Sequence, residues 1–167
     1  MKTKISLLTT ILLVSILLLS GSCRKSDNVA PVPAAPTASQ WTFDGVTYNP
    51  EKSLSSAVSL GTSLRCNGSG QASIDVVFGS SPLATGTYSV VNGAKNSIKL
   101  APNECVIQVS ATLGNYFSSG VPGNVVTVNI SGGKATVSID KVTLVIMRSG
   151  QLIDTQNISG TMICAIQ

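Results

Sequence analysis

The chain has 167 residues, of which only 11% are charged, against about 25% in a typical soluble protein. Its net charge of +4 does not indicate nucleic-acid binding, because residues 41–167 carry seven scattered basic residues against six acidic ones. The chain contains no histidine, which excludes Ser-His and Cys-His nucleophile pairs. Ser, Thr, Asn and Gly must supply most of the polar surface, which suits an extracytoplasmic β domain.

Residues 1–22 have the layout of a secretion signal. A start containing Lys2 and Lys4 is followed by an apolar run over residues 5–19 and by three small residues before Cys23. The run is shorter than the roughly 20 residues that span a bilayer as a helix. The arrangement resembles a lipoprotein signal of the Bacteroidetes type, which implies acylation of Cys23 and a lipid anchor in the outer membrane. An ordinary secretory signal that ends near a cysteine is the alternative.

Residues 23–40 are predicted to be a flexible tether. They carry Pro31, Pro33 and Pro36 among Ala, Thr and polar residues, with no period that could bury one face. Semi-extended at about 3 Å per residue, such a tether could hold a domain up to ~50 Å from the lipid. The remaining residues, 41–167, are long enough for one domain with its own core.

From Trp41 onward, short runs of alternating apolar and polar residues are separated by Gly, Asn, Pro and Ser. This pattern predicts an all-β fold, an antiparallel β-sandwich of an Ig-like or related type with about eight to nine strands. The clearest hairpin turns at Gly132-Gly133 and places Val128 opposite Val137, so that apolar residues meet on one face.

Further turns are predicted at Asp44-Gly45, Asn92-Gly93 and Ser149-Gly150. A five-residue loop over residues 67–71 would pair Leu64 with Ile74. Further strands are expected at residues 86–91, 105–113, 142–148 and 157–166.

Three segments, WTFDGVTY at 41–48, TGTY at 85–88 and SGTMIC at 159–164, resemble small β domains found in Bacteroidetes lipoproteins. The resemblance spans most of the mature chain. It implies a fold and a location at the cell envelope, and it brings no active site.

Cys66, Cys105 and Cys164 are predicted to point into the core, because each shares a strand face with apolar residues. An oxidising envelope favours one disulfide among the three, with one buried thiol left over. Three buried free thiols are the alternative. A metal site is not expected, since the sequence offers neither histidine nor a Cys-x-x-Cys motif.

No catalytic residues and no cofactor are predicted. The segment Ser131-Gly132-Gly133-Lys134 matches a Ser-x-x-Lys pattern, but that motif belongs at the start of a helix and here it straddles a turn. The acidic side chains of the domain are expected on the solvated surface.

The sequence therefore indicates a non-catalytic, lipid-anchored envelope protein that serves as a binding or structural module. A surface glycan-binding lipoprotein is the first alternative, and a histidine-free hydrolase is a remote one. For a ligand, the candidates are Tyr116 and Phe117, in a Gly-rich loop predicted over residues 114–120. The competing interpretation is that both rings cover the end of the core.

Overall fold

The computed structural model describes residues 36–50, 52–58, 61–68, 70, 72–94 and 99–166. Within these ranges the chain forms eleven strands and no α-helix, so the prediction of an all-β fold is confirmed. No helix in the same ranges is long and apolar enough to cross a membrane. The signal segment, Cys23 and the first part of the tether lie outside the described residues.

The strands are numbered in chain order, and their bounds follow the backbone pairing. They are β1 (Gln40–Phe43), β2 (Val46–Tyr48), β3 (Lys52–Val58), β4 (Gly61–Asn67), β5 (Ser73–Phe78), β6 (Gly86–Val90), β7 (Glu104–Ala111), β8 (Gly114–Ser118), β9 (Val125–Ser131), β10 (Lys134–Arg148) and β11 (Gln151–Ala165).

All strands belong to one sheet in the order β2-β1-β11-β10-β9-β6-β7-β5-β4-β3, and β8 bridges β7 and β10. The sheet folds so that strands β4 and β11 lie face to face, with Cys66 opposite Cys164. This arrangement is consistent with a β-sandwich. The prediction of an antiparallel sheet is wrong for one pair of strands, because β6 and β7 run parallel. Parallel neighbours need a crossover connection, and β6 ends at Val90 whereas β7 begins at Glu104.

The strand β10 is continuous where the sequence predicts two strands, because a bulge joins them. Asp140 and Lys141 together face one residue of β11, since Ile139 pairs with Gly160 and Val142 with Ile158. The extra residue shifts the inward positions of β10 from odd to even numbers. The strand therefore turns apolar side chains toward the core along most of its length.

The core lies between the facing parts of this sheet, and its largest fully buried side chains include Trp41, Phe78 and Tyr116. Trp41 stacks on Tyr48 with ring centres 4.2 Å apart. Gly160 lets β1 approach β11, because its φ is +141° and a Cβ atom there would lie 2.5 Å from the Cα of Trp41.

Two hairpin predictions are confirmed. The register around Gly132-Gly133 pairs Val128 with Val137, and Asp44-Gly45 joins β1 to β2 with both turn residues at positive φ.

The predicted register between β4 and β5 is wrong by two residues. Leu64 pairs with Val76 rather than Ile74, and the loop runs over residues 68–72. A shift of two keeps every side chain on its own face, so alternation alone cannot distinguish the two registers.

Candidate functional site

An open groove of about 370 Å³ lies beside the hairpin β3–β4. Four residues that carry hydroxyl groups and three apolar residues line it: Ser55, Ser56, Thr62, Ser81, Pro82, Leu83 and Ile166. None of these side chains ionises near neutral pH, so the groove suits a neutral ligand with hydroxyl or amide groups.

A tyrosine fixes the loop that forms one wall of the groove. The hydroxyl of Tyr88 donates to the carbonyl of Ala84 at 2.8 Å and accepts the Ala84 N–H at 3.2 Å. The Tyr88 ring is anchored in the core by an edge contact with Phe78. On the strand side, the hydroxyl of Thr62 donates to the carbonyl of Ser80 at 2.9 Å. The groove is therefore built on a fixed loop.

The structure places all three predicted core cysteines inside, and it brings two of them together. The sulfur atoms of Cys66 and Cys164 lie 3.9 Å apart, and the Ser53 hydroxyl lies 3.0 Å from the Cys66 sulfur. Cys105 is also fully buried, on β7. Of the three cysteines, only Cys66 and Cys164 are positioned to act on each other.

The two thiols in contact differ in their acidity. The pKa of the Cys66 thiol is lowered to about 7, chiefly because the Cys164 thiol donates a hydrogen bond to it, although burial opposes the shift. The same hydrogen bond, followed by burial, raises the pKa of Cys164. Burial raises the pKa of Cys105 to about 12. Of the three, the Cys66 sulfur carries a negative charge most readily.

The prediction of a loop around Tyr116 is wrong, because residues Gly114–Ser118 form strand β8. The Tyr116 side chain is 1% exposed, and its ring makes an edge contact with Phe43 at 4.9 Å. Phe117 points to the opposite face of β8 and is half-buried. The pair thus presents no open aromatic platform on which a sugar ring could stack.

The Tyr116 hydroxyl reaches out of the core to a carboxylate. It donates to Asp154 of β11 at 2.6 Å. Burial, and then the hydrogen bond to Asp154, raise the pKa of Tyr116 to about 12. The same bond is the largest cause that lowers the pKa of Asp154. Both shifts favour the neutral phenol and the charged carboxylate, so the pair stays hydrogen-bonded at neutral pH.

Two other carboxylates also have structural partners. Asp75 accepts from Ser63 at 2.5 Å and forms an ion pair with Arg65 at 2.6 Å. Glu104 accepts the backbone N–H of Ala101 at 2.8 Å. Among the described residues, no group of three or more His, Cys, Asp or Glu side chains could hold a metal ion. These carboxylates stabilise strands and turns.

Sequence reasoning missed two hydroxyls that surround the cysteine pair. Ser39 is predicted to belong to the tether, yet it is buried and accepts the backbone N–H of Ile163 at 2.8 Å. Its hydroxyl lies 3.5 Å from that of Ser53 on β3. No local signal marks either serine, because their roles depend on β3 and β11 meeting in space.

Comparisons with protein-family models, curated proteins and solved structures found no match.

Proposed function

We propose that this protein is a non-catalytic, lipid-anchored module of the bacterial outer membrane, with a β domain that binds or supports a partner. The observation that carries the proposal is the apolar run at residues 5–19 followed by small residues and Cys23. Acyl chains on Cys23 would supply about 0.8 kcal/mol of anchoring per buried methylene, so several chains hold the protein firmly.

The arrangement of the charged side chains supports a role in binding or structure. Asp75, Glu104 and Asp154 each accept hydrogen bonds that hold strands or turns in place. They lie on three different strands, β5, β7 and β11, and each has its own hydrogen-bond partner. Acid–base catalysis by two carboxylates requires both to flank one substrate bond.

The anchor is tested by replacing Cys23 with Ser in the full chain. We expect wild-type protein in the detergent phase, with an intact mass that lacks residues 1–22 and includes acyl chains. Cys23→Ser should remain unprocessed or appear in the aqueous phase. Ser26→Ala, which leaves the cysteine in place, is the matched control and should behave like wild type. Wild-type protein that is water-soluble with a free Cys23 thiol would refute the anchor.

A second candidate function is glycan binding, and the hydroxyl-lined groove favours it. Ser55 and Thr62 lie on neighbouring strands and on the same face of the β3–β4 hairpin, and they line the groove together with Ser81. Hydroxyl groups both donate and accept hydrogen bonds, as the hydroxyls of a neutral sugar do. The apolar side chains of Pro82 and Leu83 could contact the carbon face of a sugar ring.

This second function is tested on a glycan array, by comparing the binding of wild type with that of a variant whose groove is filled by a larger side chain. Ser55→Tyr places a bulky side chain in the groove, on the same face as Thr62, and should abolish binding of any glycan that wild type retains. Thr127→Tyr puts the same side chain on an exposed position of β9, outside the groove, and should leave binding unchanged. Melting curves of both variants check that they fold. No retained glycan, or equal binding by Ser55→Tyr, would exclude the groove as a glycan site.

A further inference from the structure

The cysteine pair lies where two distant parts of the sheet meet. Cys66 belongs to β4 and Cys164 to β11, and the two positions are 98 residues apart in sequence. Both side chains are fully buried. The strands they occupy are not neighbours in the sheet order, so no backbone ladder joins them at this point. Contact between the two sulfurs is thus a tertiary feature of the fold.

Two serines hold this contact in place. The hydroxyl of Ser53, on β3, lies 3.0 Å from the sulfur of Cys66 and 3.5 Å from the hydroxyl of Ser39. Ser39 in turn accepts the N–H of Ile163, one residue before Cys164. The hydroxyls therefore connect the backbone next to one cysteine with the sulfur of the other.

The sulfurs are at van der Waals contact, and a disulfide would bring them about 1.9 Å closer. Cys105 cannot replace either cysteine in the described structure without moving a core strand, since it lies on β7 and has no sulfur among its hydrogen-bond contacts. Of the three pairings that the sequence leaves open, only Cys66 with Cys164 has its sulfur atoms in contact.

We propose that Cys66 and Cys164 form a disulfide that joins the β3–β4 hairpin to β11. The bond forms by exchange with an oxidised dithiol protein. One cysteine thiolate attacks the donor disulfide and releases one donor thiol, and the second cysteine then attacks the mixed disulfide and releases the other. Two electrons and two protons pass from this chain to the donor, which is reduced to its dithiol.

The exchange takes place before folding is complete, because neither sulfur is accessible in the folded domain. The proposal does not depend on lipidation of Cys23, since any oxidising compartment supplies the donor.

A peptide map of the protein isolated from its producing cell tests the pairing. After alkylation of free thiols, trypsin places the three cysteines in separate peptides, at residues 66–95, 100–134 and 149–167. We expect peptide 66–95 linked to peptide 149–167, with Cys105 alkylated. Alkylation of both Cys66 and Cys164, or a link that includes Cys105, would overturn the proposal.

Thermal melting with and without reductant gives a second readout. Closing a loop of this length should raise the melting temperature by roughly 10 °C, and reduction should remove that gain. Cys105→Ala is the matched control: it melts lower because the core is disturbed, yet it keeps the shift on reduction. A wild-type melting temperature that does not respond to reductant contradicts the disulfide. The wild-type peptide map decides the pairing even if a variant fails to fold.

Discussion

Residues 151–157 and residues 158–165, the two halves of β11, have the same backbone pairing but opposite burial. Both halves run antiparallel to β10. The first half contains no buried side chain, and Leu152 is 59% exposed. The second half contributes Ile158, Met162 and Cys164 to the core. Antiparallel pairing along both halves, interrupted by two register shifts, therefore does not show which part of this hairpin stabilises the domain.

A side-chain hydrogen bond links the exposed half of β11 to a buried aromatic ring. Asp154 accepts the hydrogen bond of Tyr116, whose ring lies in the core against Phe43. Next to it, Gln156 also donates to Asp154, at 3.2 Å. Backbone pairing gives both halves their conformation, whereas burial in one half and the tyrosine in the other determine how strongly each is held.

Tyr116→Ala tests this connection with the largest expected effect. Removing a buried aromatic ring leaves a cavity, so we expect a loss of about 3–5 kcal/mol in the free energy of unfolding, measured in urea. Tyr116→Phe keeps the ring and removes only the bond to Asp154, so its loss should be much smaller. Equal losses for both variants would mean that the hydroxyl, rather than the ring, holds the two halves together.

A matched pair of isoleucines within β11 tests the contrast directly. Ile158 is fully buried and Ile153 is 53% exposed. We expect Ile158→Ala to lower the free energy of unfolding by about 2–5 kcal/mol, because it creates a core cavity. Ile153→Ala should change it by about 0.5 kcal/mol or less. Similar losses at the two sites would show that the exposed half is covered in solution.

The smallest expected effect is a pH dependence through Asp154. Its pKa is lowered, chiefly by the Tyr116 hydrogen bond, so it binds protons less readily folded than unfolded. Its contribution to stability is complete above the ordinary Asp pKa of about 3.9 and is lost as pH falls through the lowered value. In acid unfolding curves, Asp154→Asn should lose less stability than wild type over this range.

The control for this titration is Asp140→Asn, which removes an exposed carboxylate from the bulge of β10. Its acid unfolding curve shows how much of the change comes from removing an exposed carboxylate alone. If Asp154→Asn shows the same slope with pH as this control, the hydrogen bond to Tyr116 contributes nothing to the acid dependence.

The sequence predicts those parts of the fold that local chemistry determines. Gly132-Gly133 and Asp44-Gly45 occupy tight turns, and the strands on either side pair in the predicted registers. The β4–β5 register is wrong by two residues because Asn67-Gly68 and Gly70 allow the turn at more than one position, and the alternation of the two strands fits either register. Turn residues thus determine register where alternation alone leaves several choices.

Other features depend on neighbours that are distant in sequence. Tyr116 lies in a strand because β7 and β10 provide hydrogen-bonding edges on both sides of β8. The alternation of apolar and polar residues predicts that the side chains of Cys66 and Cys164 point into the core. It does not predict that the two sulfur atoms are in contact, because the alternation carries no information on strand order. The groove beside Ser56 also arises only when a loop from another part of the chain packs against β3 and β4.

The position of β1 has a mechanical consequence. Gln40 lies beside Thr161 and Phe43 beside Ile158, so β1 runs toward the turn of the β10–β11 hairpin. A pull on the chain at Ser39, with that turn held, acts along the axis of β1. The hydrogen bonds between β1 and β11 are then loaded together in shear, and the bond from Ile163 to Ser39 shares the load. A pull at right angles to β1 would break these hydrogen bonds one at a time. This domain therefore resists tension best when the force runs along the β10–β11 hairpin.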